Sequence, residues 1–287
     1  MIIKKIEPQG FCGGVKKAIV ILEKAISDKT IARPIYMLGS LIHNSHIIDE
    51  FKNKGVIMLD DNIEKEAMID MINEGTIIIS AHGVSPLIYQ KAKEKNLNII
   101  DTTCPFVKMI HDRVISNLND KKEIIYIGNK NHPETKGVIG IDDKINLVSN
   151  KADINNLELA DDNPYVTNQT TLSIYDIKEY YDLILKKYPN AFLDNKICDA
   201  TTKRQDAVAN QKYADLCIIV GDKKSSNTKK LYEVSKNIAK INTILIDNKN
   251  DLIDYDFKDI NKINISSGAS TPDYLVDEVI NYLENRL

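Results

Sequence analysis

The 287-residue chain has only four cysteines, and no two of them form a CxxC pair. That sparseness argues against a disulfide framework and against the paired-thiolate pattern of structural zinc sites. No uncharged apolar stretch approaches the ~20 residues that a membrane-spanning helix requires. Neither GxGxxG nor GxxxxGKS/T occurs, so nothing marks an internal nicotinamide, flavin or P-loop nucleotide site. Charge of one sign is also missing: 38 basic residues face 41 acidic ones, a net charge of −3. Such a chain has no basic field for nucleic acid or for an anionic membrane. No low-complexity tail or Pro/Gly-rich linker divides it. The opening MIIKKIEPQGFC lacks an apolar h-region and reads as a first strand, which predicts a cytoplasmic protein. Hydrophobic content of 43% and charged content of 28% fit an ordinary globular chain.

What the chain does contain is a threefold internal period. Cys12, Cys104 and Cys198 stand 92 and 94 residues apart, each at the end of a short apolar run and just before a helical pattern. Roughly 30 residues further on in each unit, an apolar run closes in Gly and reaches a polar tip four residues later. The three versions, YMLGSLIHN, IIYIGNKNHPE and CIIVGDKKSSN, place His43, His132 and Ser225 in register. A second apolar run then ends in TIIISAHGVS, YVTNQTTLS or INISSGAST, with His82, Thr170 and Thr171, and Ser270 at the tips. Each unit reads strand, Cys, helix, strand, polar tip, helix, strand, polar tip. The period is too long for a solenoid repeat, so it predicts three pseudo-symmetric α/β lobes, over residues 1–97, 98–190 and 191–287.

Runs such as TIIISA, EIIYIG and LCIIVG are continuous rather than alternating, as strands of a parallel sheet covered on both faces should be. Helical patterns between them give βαβ units, hence mostly parallel sheets. Ligands bind such sheets beyond the carboxyl ends of the strands. The repeat landmarks all sit at those ends, so a threefold arrangement would turn them inward together.

A single cysteine of this kind is most often a small buried hydrophobe. Three in repeat register are better explained as thiolates, each at a helix N-terminus where unpaired N–H groups and the macrodipole favour negative charge. Gly13 and Gly14 allow close backbone approach beside Cys12, and Pro105 suits a first helical position after Cys104. Cys217, inside ADLCIIVG, lacks this context and reads as core. Three thiolates without a fourth suit a 4Fe-4S cluster that keeps one iron open, rather than four-ligand zinc. The tips add His43, His82, His132, Glu134, Thr170, Thr171, Ser225, Ser226, Asn227 and Ser270. This mostly neutral donor set suits a diphosphate. Glu134, the one carboxylate among them, is placed to be tuned for proton transfer. His46 and His111 fall outside the register and are expected to have no direct role. Two other readings stay open on these residues alone. One is a zinc hydrolase using His43, His82, His132 and Glu134. The other is a non-catalytic iron–sulfur sensor, although no DNA-binding element is visible.

The ordered set GFCGGV, IHN, SAHGVS, DTTCP, NHPE, QTTLS, ICDAT with RQ, SSN and GAS resembles the 4-hydroxy-3-methylbut-2-enyl diphosphate reductase family along essentially the whole chain. The resemblance implies a cloverleaf of three lobes around a 4Fe-4S cluster held by Cys12, Cys104 and Cys198. It implies substrate contacts from His43, His82, His132, Thr170, Ser225, Ser226, Asn227 and Ser270, to which the tip reading adds Thr171. Catalytic roles would fall to Glu134 as proton-relay acid, with Thr170 and His132. Electrons would come from a ferredoxin or flavodoxin, to a chain expected to be monomeric. Gly13, Asn131, Asp199 and Lys203 depart from the family's usual residues, all of them beside functional positions rather than at them.

Overall fold

A computed structural model describes residues 1–195 and 197–286. The chain opens with β1 (Ile2–Lys5) and α1 (Gly13–Ser27), then forms β2 (Ile35–Met37), α2 (Ser45–Asn53), β3 (Val56–Met58), α3 (Lys65–Asp70), β4 (Thr76–Ile79) and α4 (Pro86–Glu94). The same order recurs as β5 (Asn98–Asp101), α5 (Pro105–Asn119), β6 (Ile124–Ile127), α6 (Pro133–Ile139), β7 (Ile145–Val148), α7 (Lys151–Asn155), β8 (Tyr165–Asn168) and α8 (Ile174–Lys187). Its third copy comprises β9 (Phe192–Leu193), α9 (Asp199–Ala209), β10 (Leu216–Val220), α10 (Ser226–Asn237), β11 (Thr243–Ile246), a 3-10 turn at Lys249–Leu252, β12 (Lys262–Ser267) and α11 (Asp273–Asn285).

Three four-stranded sheets result, ordered β3-β2-β4-β5, β7-β6-β8-β9 and β11-β10-β12-β1. Every strand pair is parallel, and the order is the same in each sheet. The fold is therefore α/β with three pseudo-symmetric lobes, as the repeat predicted. The strand ahead of each cysteine, however, joins the sheet of the lobe before it. Ile100 pairs with Ile78, Leu193 with Val166, and Lys5 with Ile265 across the closure of the ring. Counted by sheet, the lobes divide after Asp101 and Leu193 rather than at 97/98 and 190/191. The reason is the βαβ crossover: β4, α4 and β5 wind as one unit, so the strand after the helix continues the same sheet. Each cysteine thus leaves the edge strand of one lobe and starts the first helix of the next, at a junction.

The sheets are buried on both faces, and the side chains alternate accordingly. Ile78 joins the core beneath α1 and α2, while Ile77 and Ile79 join the core under α4. In the second lobe Ile125 and Ile127 face one core, and Ile124 and Tyr126 the other. In the third, Leu216, Ile218 and Val220 face one side, and Cys217 and Ile219 the other. Cys217 is wholly buried, as its apolar context predicted. Among the described residues no helix is long and apolar enough to cross a membrane.

Candidate active site

Cys12, Cys104 and Cys198 are the N-cap residues of α1, α5 and α9. One hydrogen bond fixes each of them, and it repeats threefold. The Cys104 N–H donates to Ala81 O at 3.0 Å, that of Cys198 to Thr170 O at 3.2 Å, and that of Cys12 to Ala269 O at 3.1 Å. Each acceptor lies two residues beyond the end of β4, β8 or β12, so the second polar tip of one lobe pins the cysteine entering the next. Gly14 makes the convergence possible: a Cβ there would lie 2.7 Å from Cys104 Sγ and 3.9 Å from Cys12 Sγ. Gly13 has no such crowding, with nothing within 4 Å of a Cβ built on it.

The three cysteines line a cavity of about 100 Å³. His43, His82, His132, Glu134, Thr170, Thr171, Ser225, Ser226, Asn227 and Ser270 line the rest. The structure thus brings all of the sequence-predicted site residues into one chamber. His46 and His111 are not among its walls. The His111 ring instead packs under Gly83 and Gly137. Asp199 and Lys203 are exposed, and so is Asn131.

Burial raises the thiols of Cys104 and Cys198 above their ordinary value, although nearby N–H groups of α5 and α9 favour the thiolates. Charge on the neighbouring cysteines raises them further. For Cys104 and Cys198 burial therefore outweighs the helix N-termini.

In the same cavity the imidazoles of His43, His82 and His132 cluster in tilted and edge-on pairs, with ring centroids 4.8, 5.5 and 6.0 Å apart. Burial lowers all three pKa values, that of His132 to about 3, so the rings are neutral at physiological pH. The backbone N–H of Glu134 donates to His132 Nδ1 at 3.2 Å. An N–H can only donate, so Nδ1 is the acceptor and the imidazole proton sits on Nε2. The three rings offer ligand atoms within 4.8 Å of one another, a spacing that a metal ion could use. A metal on Nε2 of His132 would push the proton onto Nδ1, against the Glu134 N–H. This tautomer suits donation to an anion and counts against zinc. Asn227 keeps both amide atoms buried without partners, and so does Nδ1 of His82. Polar groups orphaned at a cavity wall point to a polar ligand.

Glu134 is 1% exposed. It accepts from the Thr170 N–H at 2.8 Å and from the Thr170 hydroxyl at 2.9 Å, while the Tyr126 hydroxyl lies 3.5 Å away. Burial outweighs these donors and lifts its pKa to about 7. The carboxyl is poised to hold or release a proton near neutrality. Thr171 donates to Ser226 at 3.1 Å, and Ser270 to His43 O at 3.1 Å, so the hydroxyl wall is stitched across all three lobes.

Sequence reasoning passed over three neighbours of this chamber. Gln169 is fully buried; its amide donates to Thr171 Oγ at 2.7 Å, and its carbonyl accepts from the Asn129 N–H at 3.0 Å. Tyr126 backs Glu134 from inside β6. Lys65 donates to Gly83 O at 3.3 Å behind the histidines, and burial lowers its pKa to about 8. The motif QTTLS held the Gln169 signal, since its register places a side chain inward; nothing in the sequence marks the other two.

The fold and the chamber define a three-lobed α/β protein with a thiol trio facing a neutral, donor-rich cup. The family profile described as LytB protein matches residues 3–284, and the chain belongs to this family. It is similar to the 4-hydroxy-3-methylbut-2-enyl diphosphate reductases of Lysinibacillus sphaericus (strain C3-41) and Bacillus pumilus (strain SAFR-032). Identity is 45% and 42%, covering 99% of this chain and 88% and 91% of theirs. The solved structure of E-1-hydroxy-2-methyl-but-2-enyl-4-diphosphate reductase from Plasmodium falciparum superposes with a TM-score of 0.90 at 33% identity, covering 99% of this chain and 88% of that one. A second structure, described as (E)-4-hydroxy-3-methyl-but-2-enyl diphosphate reductase, the terminal enzyme of the non-mevalonate pathway, gives a TM-score of 0.69 at 31% identity, covering 99% of this chain and all of that one.

Proposed function

We propose that this chain reduces 4-hydroxy-3-methylbut-2-enyl diphosphate to isopentenyl diphosphate and dimethylallyl diphosphate. The observation that carries the reading is the pairing, in one chamber, of three convergent thiols with a neutral donor cup and a buried carboxyl of raised pKa. Cys12, Cys104 and Cys198 fit as the ligands of a 4Fe-4S cluster: they come from three helix N-termini, leave no fourth protein ligand, and crowd only where Gly14 gives room. When bound, such a cluster with one iron free of protein ligands supplies single electrons and a Lewis-acidic corner for the substrate hydroxyl.

The chain's own residues then divide the work. His132 presents Nε2–H to the diphosphate, with His43 and His82 completing a cup of neutral imidazoles. Ser225, Ser226, Asn227 and Ser270 add hydroxyl and amide donors, and Thr171 holds Ser226 in place. The anion is thereby bound away from water, and the reacting end is fixed facing the thiols, a positioning effect. Glu134 gives up one proton, relayed by the Thr170 hydroxyl on its Oε2, to the departing hydroxyl, which leaves as water; once reprotonated it supplies a second proton to the allylic carbon, so two protons and the two electrons from the external donor balance the loss of water. The electron donor is a ferredoxin or flavodoxin, and the protein is a cytoplasmic monomer. Anaerobic assay with reduced viologen is expected to convert the hydroxylated diphosphate to both isomers, resolved by chromatography. An iron-loaded protein that binds the substrate but releases no deoxygenated product contradicts the reading.

A further inference from the structure

Among the described residues, Arg204 is the least exposed lysine or arginine, at 3%. It lies on α9, six residues after Cys198, and its guanidinium reaches across the junction to the loop that delivers Cys12. Nη2 donates to Gly10 O at 2.6 Å and to Gln9 O at 3.3 Å, and Nη1 donates to Ala200 O at 3.2 Å. All of these acceptors are neutral carbonyls. No carboxylate of the described residues bonds to it, and its Nε is buried without a partner. Buried charges are normally paired, because desolvating an unpaired ion costs several kcal/mol. By contrast Asp194, the buried aspartate, is paired with Arg113 at 2.6 Å.

The groups around Arg204 identify its missing partner. Of the negative charges that favour the guanidinium, the thiolates of Cys12 and Cys198 come first, ahead of the more weakly coupled carboxylates of Asp273 and Glu7. Those two acids lie near the same loop, Asp273 against Gly10 and Glu7 accepting from the Gln9 N–H, but both are exposed to solvent and neither bonds to the guanidinium.

We propose that Arg204 is the built-in counter-cation of the thiolate-bound cluster, a positioning residue that ties the Cys12 loop to the Cys198 helix. Its fixed positive charge makes the cluster easier to reduce. This rests on the cluster assignment proposed above. Electron uptake adds negative charge to an already anionic centre, and an adjacent buried cation favours that step in a low dielectric.

Two variants separate the charge from the bonding. Arg204→Lys keeps the charge, and Arg204→Gln keeps one amide donor toward Gly10 without it. Iron and sulfide content are measured first, then the midpoint potential by dye-mediated titration followed by electron paramagnetic resonance. The expected result is that Arg204→Lys loads and titrates close to the parent, whereas Arg204→Gln is about tenfold less favourable to reduce, which for one electron is about 59 mV. Cluster loading by Arg204→Lys but not by Arg204→Gln also supports the proposal, because the charge is then needed to hold the anion. An Arg204→Gln protein that loads fully with an unchanged midpoint overturns it. So does failure of both variants to load, which would assign Arg204 to fork geometry alone. A parent chain that never takes up iron and sulfide refutes the cluster assignment instead, and is distinguishable from each of these results.

Discussion

Glu134 owes its chemistry to burial winning over three donors. Its pKa of about 7 means that the proton is present below neutrality and lost above it, so turnover should fall as pH rises through 7. A steady-state profile recorded anaerobically checks this, and a flat profile between pH 6 and 8 contradicts it. Glu134→Gln should bind the diphosphate with unchanged affinity yet lose about 100-fold or more in turnover. The same shift has a consequence for stability. A folded pKa raised from 4.5 to about 7 stabilises the fold below 4.5, and that contribution disappears as pH climbs to about 7. Glu134→Gln should therefore gain stability relative to the parent across that window in urea titrations. His132 works the opposite way: its folded value of about 3 lies below 6.5, so its contribution is present above 6.5 and is lost as pH falls toward 3. At this scale the sequence was informative wherever a residue type and its register coincide, as for the three cysteines and His43, His82 and His132. It held Arg204 in the RQ of the third motif without a role, and was silent on Tyr126 and Lys65, because the importance of all three comes from burial and from neighbours far away in the chain.

At the scale of elements, the repeated device is a strand end that accepts a hydrogen bond from the cysteine capping the next lobe's helix. The period showed that these elements exist and where the cysteines fall in them. It did not show which sheet β1, β5 and β9 would join, because a short apolar strand carries no label for its partner and only the crossover decides. The glycines after Cys12 also read alike in sequence, whereas the backbone separates them. Gly14→Ala should bring a methyl against Cys104 Sγ and lower the iron content of the purified protein severalfold. Gly13→Ala should leave it unchanged, since that position opens to space. Equal iron content in the two variants would remove the close approach as a requirement.

At the scale of the whole molecule, the ring closes through β1, which completes the third sheet while delivering Cys12 to the first lobe. A chain lacking residues 2–5 should lose both the edge of that sheet and the tether of one thiol. Its thermal midpoint is expected to drop by several degrees, with loss of bound iron; iron content unchanged in the truncated chain contradicts this coupling. Three lobes, each holding its own two-faced core, bring their strand ends together at the centre, and there the chamber combines charge-neutral donors, one tuned acid and three thiols. The most direct test is iron and acid-labile sulfide analysis of the anaerobically purified protein beside Cys104→Ser. About four irons and four sulfides per parent chain are expected, with the brown absorbance near ~410 nm lost in the variant. Zinc without sulfide in the parent, or full iron and colour in Cys104→Ser, would contradict the account.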